Sequence, residues 1–175
     1  MQYDIISSDS HIDLTWLPAD LFVSNAPEEW KEKVPHVVET DAGKSWWANG
    51  ADLGGVGGSG FTGDKVIAGS SKHQDRMIET GFYSDGAKGI FRPTTPELRI
   101  KDQEMDGIQA EVIYGILGVG QRLGEPDLTS YVFKTYNTWV ADFAKSSPDR
   151  FAALACIPNH SPEIAAEELE RAADL

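Results

Sequence analysis

The second half of the chain alternates between helical and strand patterns of apolar residues. Residues 96–106 predict a short charged helix that begins at a proline, and the apolar stretch at 110–116 predicts a buried strand. Across residues 127–147, apolar side chains recur at three- and four-residue steps, as in an amphipathic helix of about five turns. An apolar run at 151–158 predicts another strand, and the residues after Ser161 predict a helix with a serine N-cap.

The first half of the chain has a weaker pattern. Residues 3–8 predict a strand, but the segment 13–95 shows little helical or strand periodicity and is glycine-rich at 43–63. Two interpretations of this long excursion stay open: an irregular surface segment, or a lid over a site. In the second, Trp46 and Trp47 would be its apolar anchors.

Two glycine-containing segments bear on nucleotide binding. Gly55, Gly57 and Gly60 match the spacing of a dinucleotide-binding loop, but no strand pattern precedes them and no helix pattern follows. The segment GVGQRLGEP, residues 118–126, predicts a glycine-punctuated loop after a strand. An open-sheet nucleotide-binding module with phosphate contacts from this loop is one alternative function.

The order of elements predicts an α/β fold with a parallel sheet, because a helix between two strands returns the chain to the same end of the sheet. An open doubly wound sheet and a (β/α) barrel both fit, and both place functional groups beyond the carboxyl ends of the strands. A closed barrel takes about 250 residues. We therefore expect residues 1–175 to be the N-terminal part of a larger protein, with a loop or lid excursion at 13–95 and a regular α/β part at 96–175.

Composition narrows the class of partner. The chain has 175 residues, of which 41% are hydrophobic, which suits one domain with a buried core. A net charge of -13 without a lysine or arginine cluster argues against nucleic acid and anionic membranes. The start lacks a secretory pattern, no apolar run is long enough to span a membrane, and a single cysteine excludes an internal disulfide. These features favour a cytoplasmic protein that acts on a small molecule, with homo-oligomerisation left open.

The candidate chemistry lies at the end of the first predicted strand. Asp9, His11 and Asp13 recur at two-residue spacing, and alternate residues of a strand project from one face. Because carboxylate and imidazole are ligands of zinc and manganese, Asp9 and His11 predict a site for one divalent metal, with Asp13 as the second choice. The ordinary alternatives are that Asp9 caps a turn, His11 is a polar strand-end residue and Asp13 is the N-cap of a helical turn.

Other polar residues have weaker patterns. His160 follows the third strand and is a candidate for substrate binding, whereas the ordinary interpretation is a loop histidine beside the Ser161 cap. Arg92 and Arg99 are candidates for pairing with a substrate carboxylate, with solvated salt bridges as the alternative. No chemical role is expected for three residues: Cys156 is predicted to be an inert core residue, and His36 and His73 are predicted to lie at the surface.

IISSDSHIDL, followed by PADLF and PEEWKEKVPHVVETDAGKSWWANG, is similar to the opening of proteins of the amidohydrolase-related family, which includes the aminocarboxymuconate semialdehyde decarboxylase and resorcylate decarboxylase types. LRIKDQEMDGIQAEVIYG resembles the segment that leads into their second strand. YNTWVADFAKSSPDRFAALACIPNHSPEIAAEELERAADL resembles their second helix, third strand and third helix.

This resemblance implies that residues 1–175 are the N-terminal portion of one (β/α)8 barrel domain, comprising about its first three βα units. The barrel would hold one divalent metal, bound at the first strand by two residues separated by one. Some members have H-x-H there, and the matching positions in this sequence are Asp9 and His11. Asp13 falls where many relatives have a glutamate before proline. The resemblance places the remaining ligands, a histidine and an aspartate, after residue 175, so the catalytic residues are unknown.

Two functional hypotheses follow. In the first, the chain is the N-terminal part of a metal-dependent enzyme that hydrolyses or decarboxylates a small aromatic or carboxylated molecule. In the second, it is an inactive barrel fragment or a degenerate homologue that binds no metal. Because the same ligands support both reactions and both metals, the sequence does not distinguish hydrolysis from decarboxylation, or zinc from manganese.

Overall fold

The described part of the chain contains two small sheets and a set of helices. The computed structural model describes residues 3–41, 43–56, 68–69 and 71–175. The elements are β1 (Ile6–His11), β2 (His36–Thr40), β3 (Gly43–Ala48), β4 (Ala51–Gly55), α1 (Lys72–Glu79), α2 (Phe82–Ala87), α3 (Pro96–Asp106), β5 (Ala110–Tyr114), α4 (Leu117–Leu123), α5 (Pro126–Lys145), β6 (Phe151–Ala153) and α6 (Pro162–Ala173).

The first sheet is parallel, with the strand order β1-β5-β6. Helices α4 and α5 connect β5 to β6, and α6 follows β6, so the chain returns to the same edge of the sheet each time. The three carboxyl ends lie side by side, because His11 pairs with Tyr114, and Ile113 of β5 pairs with Ala153. The predicted α/β class with a parallel sheet is confirmed.

The predicted helices form close to their expected bounds. Thr95 and Ser161 cap α3 and α6 by accepting hydrogen bonds from the backbone N–H groups of Leu98 and Ile164. Gly107 ends α3 with a φ of 71°. The long helix α5 buries one stripe of side chains, which comprises Leu128, Val132, Phe133, Tyr136, Asn137, Val140 and Phe143.

Two predictions of irregular structure are wrong. The segment GVGQRLGEP is not a loop, because Leu117–Leu123 forms α4 and the chain leaves the helix at Gly124, where φ is 72°. The excursion contains an antiparallel meander, β2-β3-β4, together with α1 and α2. Glycines and polar residues in β3 and β4 had masked the strand alternation. Of the three glycines with dinucleotide-loop spacing, Gly55 ends β4, and Gly57 and Gly60 lie outside the described residues.

The parallel sheet has one covered face and one open face. On the covered face, Ile113 and Phe151 are buried, and the Phe151 ring lies 5.3 Å from that of Phe143 in α5. On the open face, Ile6, Tyr114 and Leu154 are 50%, 38% and 40% exposed. The core therefore lies between the sheet and α5.

The first half of the chain adds to the same core. Trp46 of β3 is buried and packs edge-on against Phe22, with ring centroids 6.4 Å apart. The backbone oxygen of Phe22 accepts a hydrogen bond of 3.1 Å from the Tyr131 hydroxyl of α5. Trp46 thus anchors the meander, and whether the excursion acts as a lid stays a prediction.

Arg92 and Arg99 are internal rather than solvated, contrary to the ordinary expectation for an acidic protein. The Arg92 guanidinium donates hydrogen bonds of 2.8 Å to both Asp85 and Asp102, and it lowers the pKa of the Asp85 carboxyl. Arg99 donates to Glu111 of β5 at 2.6 Å, and both side chains are buried. These arginines hold helices to one another and to the sheet, so we do not retain them as candidates for substrate binding.

A second buried network fixes the segment after β6. The Asn137 amide accepts a hydrogen bond from the Cys156 backbone N–H at 2.7 Å and donates to the Cys156 carbonyl at 2.9 Å. It also donates to Glu168 of α6, which is fully buried and receives two hydrogen bonds from Arg171. The sequence predicted a strand over 151–158, but β6 ends at Ala153 and Asn137 takes over as hydrogen-bond partner.

Among the residues that the structure describes, no helix combines the length and apolar character that a membrane-spanning helix needs.

Candidate functional site

The candidate site lies on a strand whose pairing is irregular. In β1, Ser7 pairs with Glu111 and Ser10 pairs with Ile113, so three steps along β1 match two steps along β5. This β-bulge contains Ser8 and Asp9. The hydroxyl groups of Ser7 and Ser10 hydrogen-bond across it at 2.7 Å. Ser7 and Ser10 are therefore half-buried, whereas His11 lies on the open face.

The structure brings Asp9, His11 and Asp13 together around one imidazole ring. His11 Nε2 lies 3.3 Å from Asp9 Oδ1, and His11 Nδ1 lies 3.9 Å from Asp13 Oδ1. All three side chains are at least half exposed. The predicted convergence of Asp9 and His11 is thus observed, although it arises on a bulged strand rather than a regular one. Metal binding by these residues stays a prediction.

Asp13 lies at the N-cap position of a helical turn, as the alternative to metal binding predicted, but its side chain does not cap the turn. It precedes the short 3₁₀ helix Leu14–Trp16 as N-cap residue, and its side chain makes no capping hydrogen bond. Leu14 and Trp16 are buried, which holds the chain after β1 against the core. The Asp13 carboxylate is therefore left facing His11.

Tyr114 is a site residue that the spacing pattern did not reveal. It ends β5 directly opposite His11, and the two rings stack with centroids 5.7 Å apart and planes 25° apart. Adjacent parallel strands place their last residues side by side, so the end of the second strand was the available signal. The stacked ring limits where the His11 imidazole can turn.

A cavity of about 210 Å³ opens beside Asp13. The rest of its wall comprises Leu14, Leu53 of the meander, Gly115 and Ile116 before α4, and Gly118, Val119 and Arg122 of α4. The meander therefore borders the carboxyl edge of the parallel sheet. Arg122 was not a candidate from its sequence context, because a lone arginine in a glycine-rich segment carries no spacing signal.

His160 lies in a different cavity, of about 310 Å³, on the other side of α4. Polar neighbours in its wall are Gln121, Glu125 and Asn159. The structure thus places His160 at the same edge of the sheet as His11 but does not bring it into the Asp9–His11 group. A role of His160 in substrate binding stays a prediction.

The buried thiol of Cys156 is not available for chemistry. Cys156 is 1% exposed, and burial raises the pKa of its thiol to about 12, as expected of an unreactive core residue. Burial also raises the pKa of the Tyr136 hydroxyl. His36 is half-buried and its Nδ1 lies 2.8 Å from the Val34 carbonyl, and the His73 side chain lies outside the described residues.

Asp9 and His11 are close enough to bind the same metal ion, but two ligands do not complete a metal site. Within the described ranges, no group of three or more histidine, cysteine, aspartate or glutamate side chains is arranged to hold a metal. The donor chemistry of Asp9 and His11 nevertheless fits zinc or manganese.

The fold is similar to that of two solved enzymes, although no family model matches the chain. One is an amidohydrolase from Mycobacterium avium subsp. paratuberculosis K-10, with a TM-score of 0.66 and 13% identity over 99% of this chain and 47% of that one. The other is 2,6-dihydroxybenzoate decarboxylase from Rhizobium, with a TM-score of 0.50 and 17% identity over 99% of this chain and 36% of that one. The chain spans less than half the length of either protein, and its fold is that of a partial amidohydrolase-type barrel.

Proposed function

We propose that this chain belongs to a metal-dependent enzyme that hydrolyses or decarboxylates a small aromatic or carboxylated molecule. The proposal has two supports: the likeness in fold to an amidohydrolase and a decarboxylase, and the donor pair at the carboxyl end of β1. Asp9 and His11 are the residues that would hold the ion. The alternative of a metal-free degenerate homologue is tested by the metal titration below, and the nucleotide binder loses its predicted phosphate loop, because Leu117–Leu123 forms α4.

The distance between Asp9 Oδ1 and His11 Nε2 carries the proposal. Two ligand atoms that each lie about 2.1 Å from a tetrahedral metal are about 3.4 Å apart. The observed separation is 3.3 Å, so the pair can bind one ion with little rearrangement. A plain hydrogen bond between imidazole and carboxylate has the same length, and a metal titration separates the two cases.

Asp13 has a different role in this proposal from the second-choice ligand expected earlier. Asp13 faces Nδ1 of His11, whereas Asp9 faces Nε2. A carboxylate beside the second ring nitrogen of a metal-binding histidine fixes the orientation and tautomer of the ring. Asp13 would therefore orient the His11 ring, and the stacked Tyr114 ring would restrict the rotation of the imidazole.

A bound divalent metal would supply a Lewis acid that polarises a carbonyl or carboxylate, or lowers the pKa of water. Two protein ligands bind such an ion weakly, so we propose that water, substrate and other parts of the whole enzyme fill the remaining positions. The open face of the sheet leaves room for a substrate next to His11.

Calorimetric titration of the chain with zinc and with manganese tests the proposal. We expect weak binding of one ion, reduced at least about tenfold in both Asp9→Asn and His11→Gln, since even outer-shell changes reduce metal affinity by that factor. Asp41→Asn removes an exposed carboxylate from the turn after β2 and is the matched control. Electron paramagnetic resonance of bound manganese provides a second readout.

Each outcome has a distinct meaning. Binding that both substitutions abolish and the control preserves would support the site. Binding that neither substitution changes would place the ion elsewhere and contradict the proposal. Tight binding by the chain alone would contradict the view that its two ligands are an incomplete set.

A further inference from the structure

The cavity beside Asp13 is lined by Arg122, which is exposed and pairs with no carboxylate among the described residues. Its apolar wall includes Leu14, Leu53 and Val119, and its charged groups are Asp13 and Arg122. A small apolar cavity with a few polar groups is the usual form of a small-molecule site. The question is which chemical group Arg122 would contact there.

Arg122 differs from the other arginines of the chain. The sequence has six arginines, and five of them, Arg76, Arg92, Arg99, Arg150 and Arg171, form ion pairs with aspartate or glutamate. Arg122 forms no ion pair or hydrogen bond with any part of the chain that the structure describes. In a protein with a net charge of -13, a guanidinium without a carboxylate partner is the exception.

The fold places Arg122 at the functional edge of the sheet. Helix α4 begins three residues after Tyr114, the last residue of β5, and Arg122 lies in its last turn. Asp13 borders the same cavity, and its Oδ1 faces His11. A ligand in the cavity would therefore lie between Arg122 and the residues that surround the His11 ring.

We propose that Arg122 is a specificity-determining residue that binds the carboxylate of the substrate in this cavity. This inference rests on the proposed function, because it assigns the anionic group of that substrate to a named residue. The planar guanidinium can donate two parallel hydrogen bonds to a carboxylate, and the apolar wall suits the remainder of a small aromatic molecule. Arg92 and Arg99 cannot compete for this role, since both are occupied by internal carboxylates.

Asp13 limits the strength of this contact. A carboxylate in the same cavity repels an anionic ligand, and the repulsion is largest at low ionic strength. Asp13→Asn should therefore strengthen carboxylate binding, while Arg122→Gln should weaken it. Opposite effects of two substitutions in one cavity would be hard to obtain from a general change in folding.

Titration with benzoate, followed by ¹H–¹⁵N chemical shifts of the full chain in the presence of EDTA, tests the inference without a metal. We expect shifts at Gly118 and Val119, about tenfold weaker binding in Arg122→Gln, and an intermediate loss in Arg122→Lys, which keeps a point charge but not the fork. Lys101→Gln removes one positive charge from an exposed position of α3 and should leave the affinity within about twofold. Benzamide, the neutral analogue of benzoate, should bind weakly to all variants.

The result separates this inference from the metal site. Equal benzoate affinity in wild type and Arg122→Gln, or equal binding of benzamide and benzoate by wild type, would overturn the assignment of Arg122. If zinc still bound through Asp9 and His11 in that case, the proposed function would stand. If zinc failed to bind but Arg122→Gln lost benzoate, the carboxylate contact would stand and the metal site would be wrong.

Discussion

The two faces of the parallel sheet are built from the same three strands but have opposite properties. The covered face buries Ile113 and Phe151 against α5, and even its charged residue, Glu111, is paired with Arg99. The open face exposes Ile6, Tyr114 and His11. Stability and candidate chemistry are therefore carried by different sides of one sheet. Because parallel sheets are usually covered on both faces, the proposed function predicts that other parts of the enzyme cover the open face.

The largest expected difference in unfolding free energy is between alanine substitutions of one isoleucine on each face. Ile113→Ala should lower the free energy of unfolding by about 3 kcal/mol, because it leaves a cavity in the packed core. Ile6→Ala removes the same atoms from a half-exposed position and should cost less than about 1 kcal/mol. Urea unfolding followed by tryptophan fluorescence measures both. Similar losses in the two variants would show that the open face is covered in solution.

A buried carboxylate in α6 should have the next largest effect. Burial raises the pKa of Glu168, but hydrogen bonds from Arg171 and Asn137 outweigh it, so the pKa is lowered overall. The ionised group therefore stabilises the fold above its unfolded pKa of about 4.3, and this contribution is lost as the pH falls through the folded value. Glu168→Gln should cost about 2 kcal/mol at pH 7 and weaken the acid dependence of urea unfolding.

Glu170→Gln, at an exposed position on the same helix, is the control for Glu168. It should change neither the free energy of unfolding at pH 7 nor the decrease of that free energy at acid pH. If Glu168→Gln retained the acid dependence of the wild type, other carboxylates would be responsible for it.

Close packing at the end of β5 gives an effect of comparable size. A Cβ added to Gly115 would lie 2.5 Å from the Tyr136 ring, whereas one added to Gly118 would meet no atom within 4 Å. Gly115→Ala should therefore destabilise the protein by about 2 kcal/mol through overpacking. Gly118→Ala, within α4, should be neutral or slightly stabilising. Thermal unfolding of the two variants distinguishes packing from backbone effects, and equal midpoints would contradict the close approach.

The smallest effect on stability is expected at the candidate site itself. Asp9 and His11 are 86% and 50% exposed, so alanine at either position should shift the thermal midpoint by less than about 2 °C. The same substitutions should abolish metal binding. A large loss of stability in His11→Ala would mean that stacking on Tyr114 supports the fold rather than a site.

The regular half of the fold was predictable because its signals are local. The stripe on α5, the glycine after α3 and the serine cap of α6 each act within a few residues, and the structure confirms them. The meander was not predictable in this way. It depends on Trp46 reaching Phe22, a contact between distant residues, and on β4, which ends in two glycines.

The candidate site was predictable only in part for a related reason. The two-residue spacing identified Asp9 and His11, but no local pattern indicated the bulge that changes the pairing of β1. Tyr114 and Arg122 belong to other elements, so they become neighbours of the site only after the strands are aligned. The burial of Arg92 and Arg99 was missed because their acidic partners lie seven to twelve positions away.

The irregular pairing of β1 means that strict alternation from Ser7 does not predict the face on which His11 lies. Ser7 and His11 are four positions apart and would point the same way in an ideal ribbon, yet they lie on opposite sides. Removing a single residue between Ser7 and Ser10 would make the pairing regular and keep the imidazole on its present side, because two steps on each strand would then separate the same pairs. The bulge thus accommodates one additional residue in β1 while His11 stays opposite Tyr114.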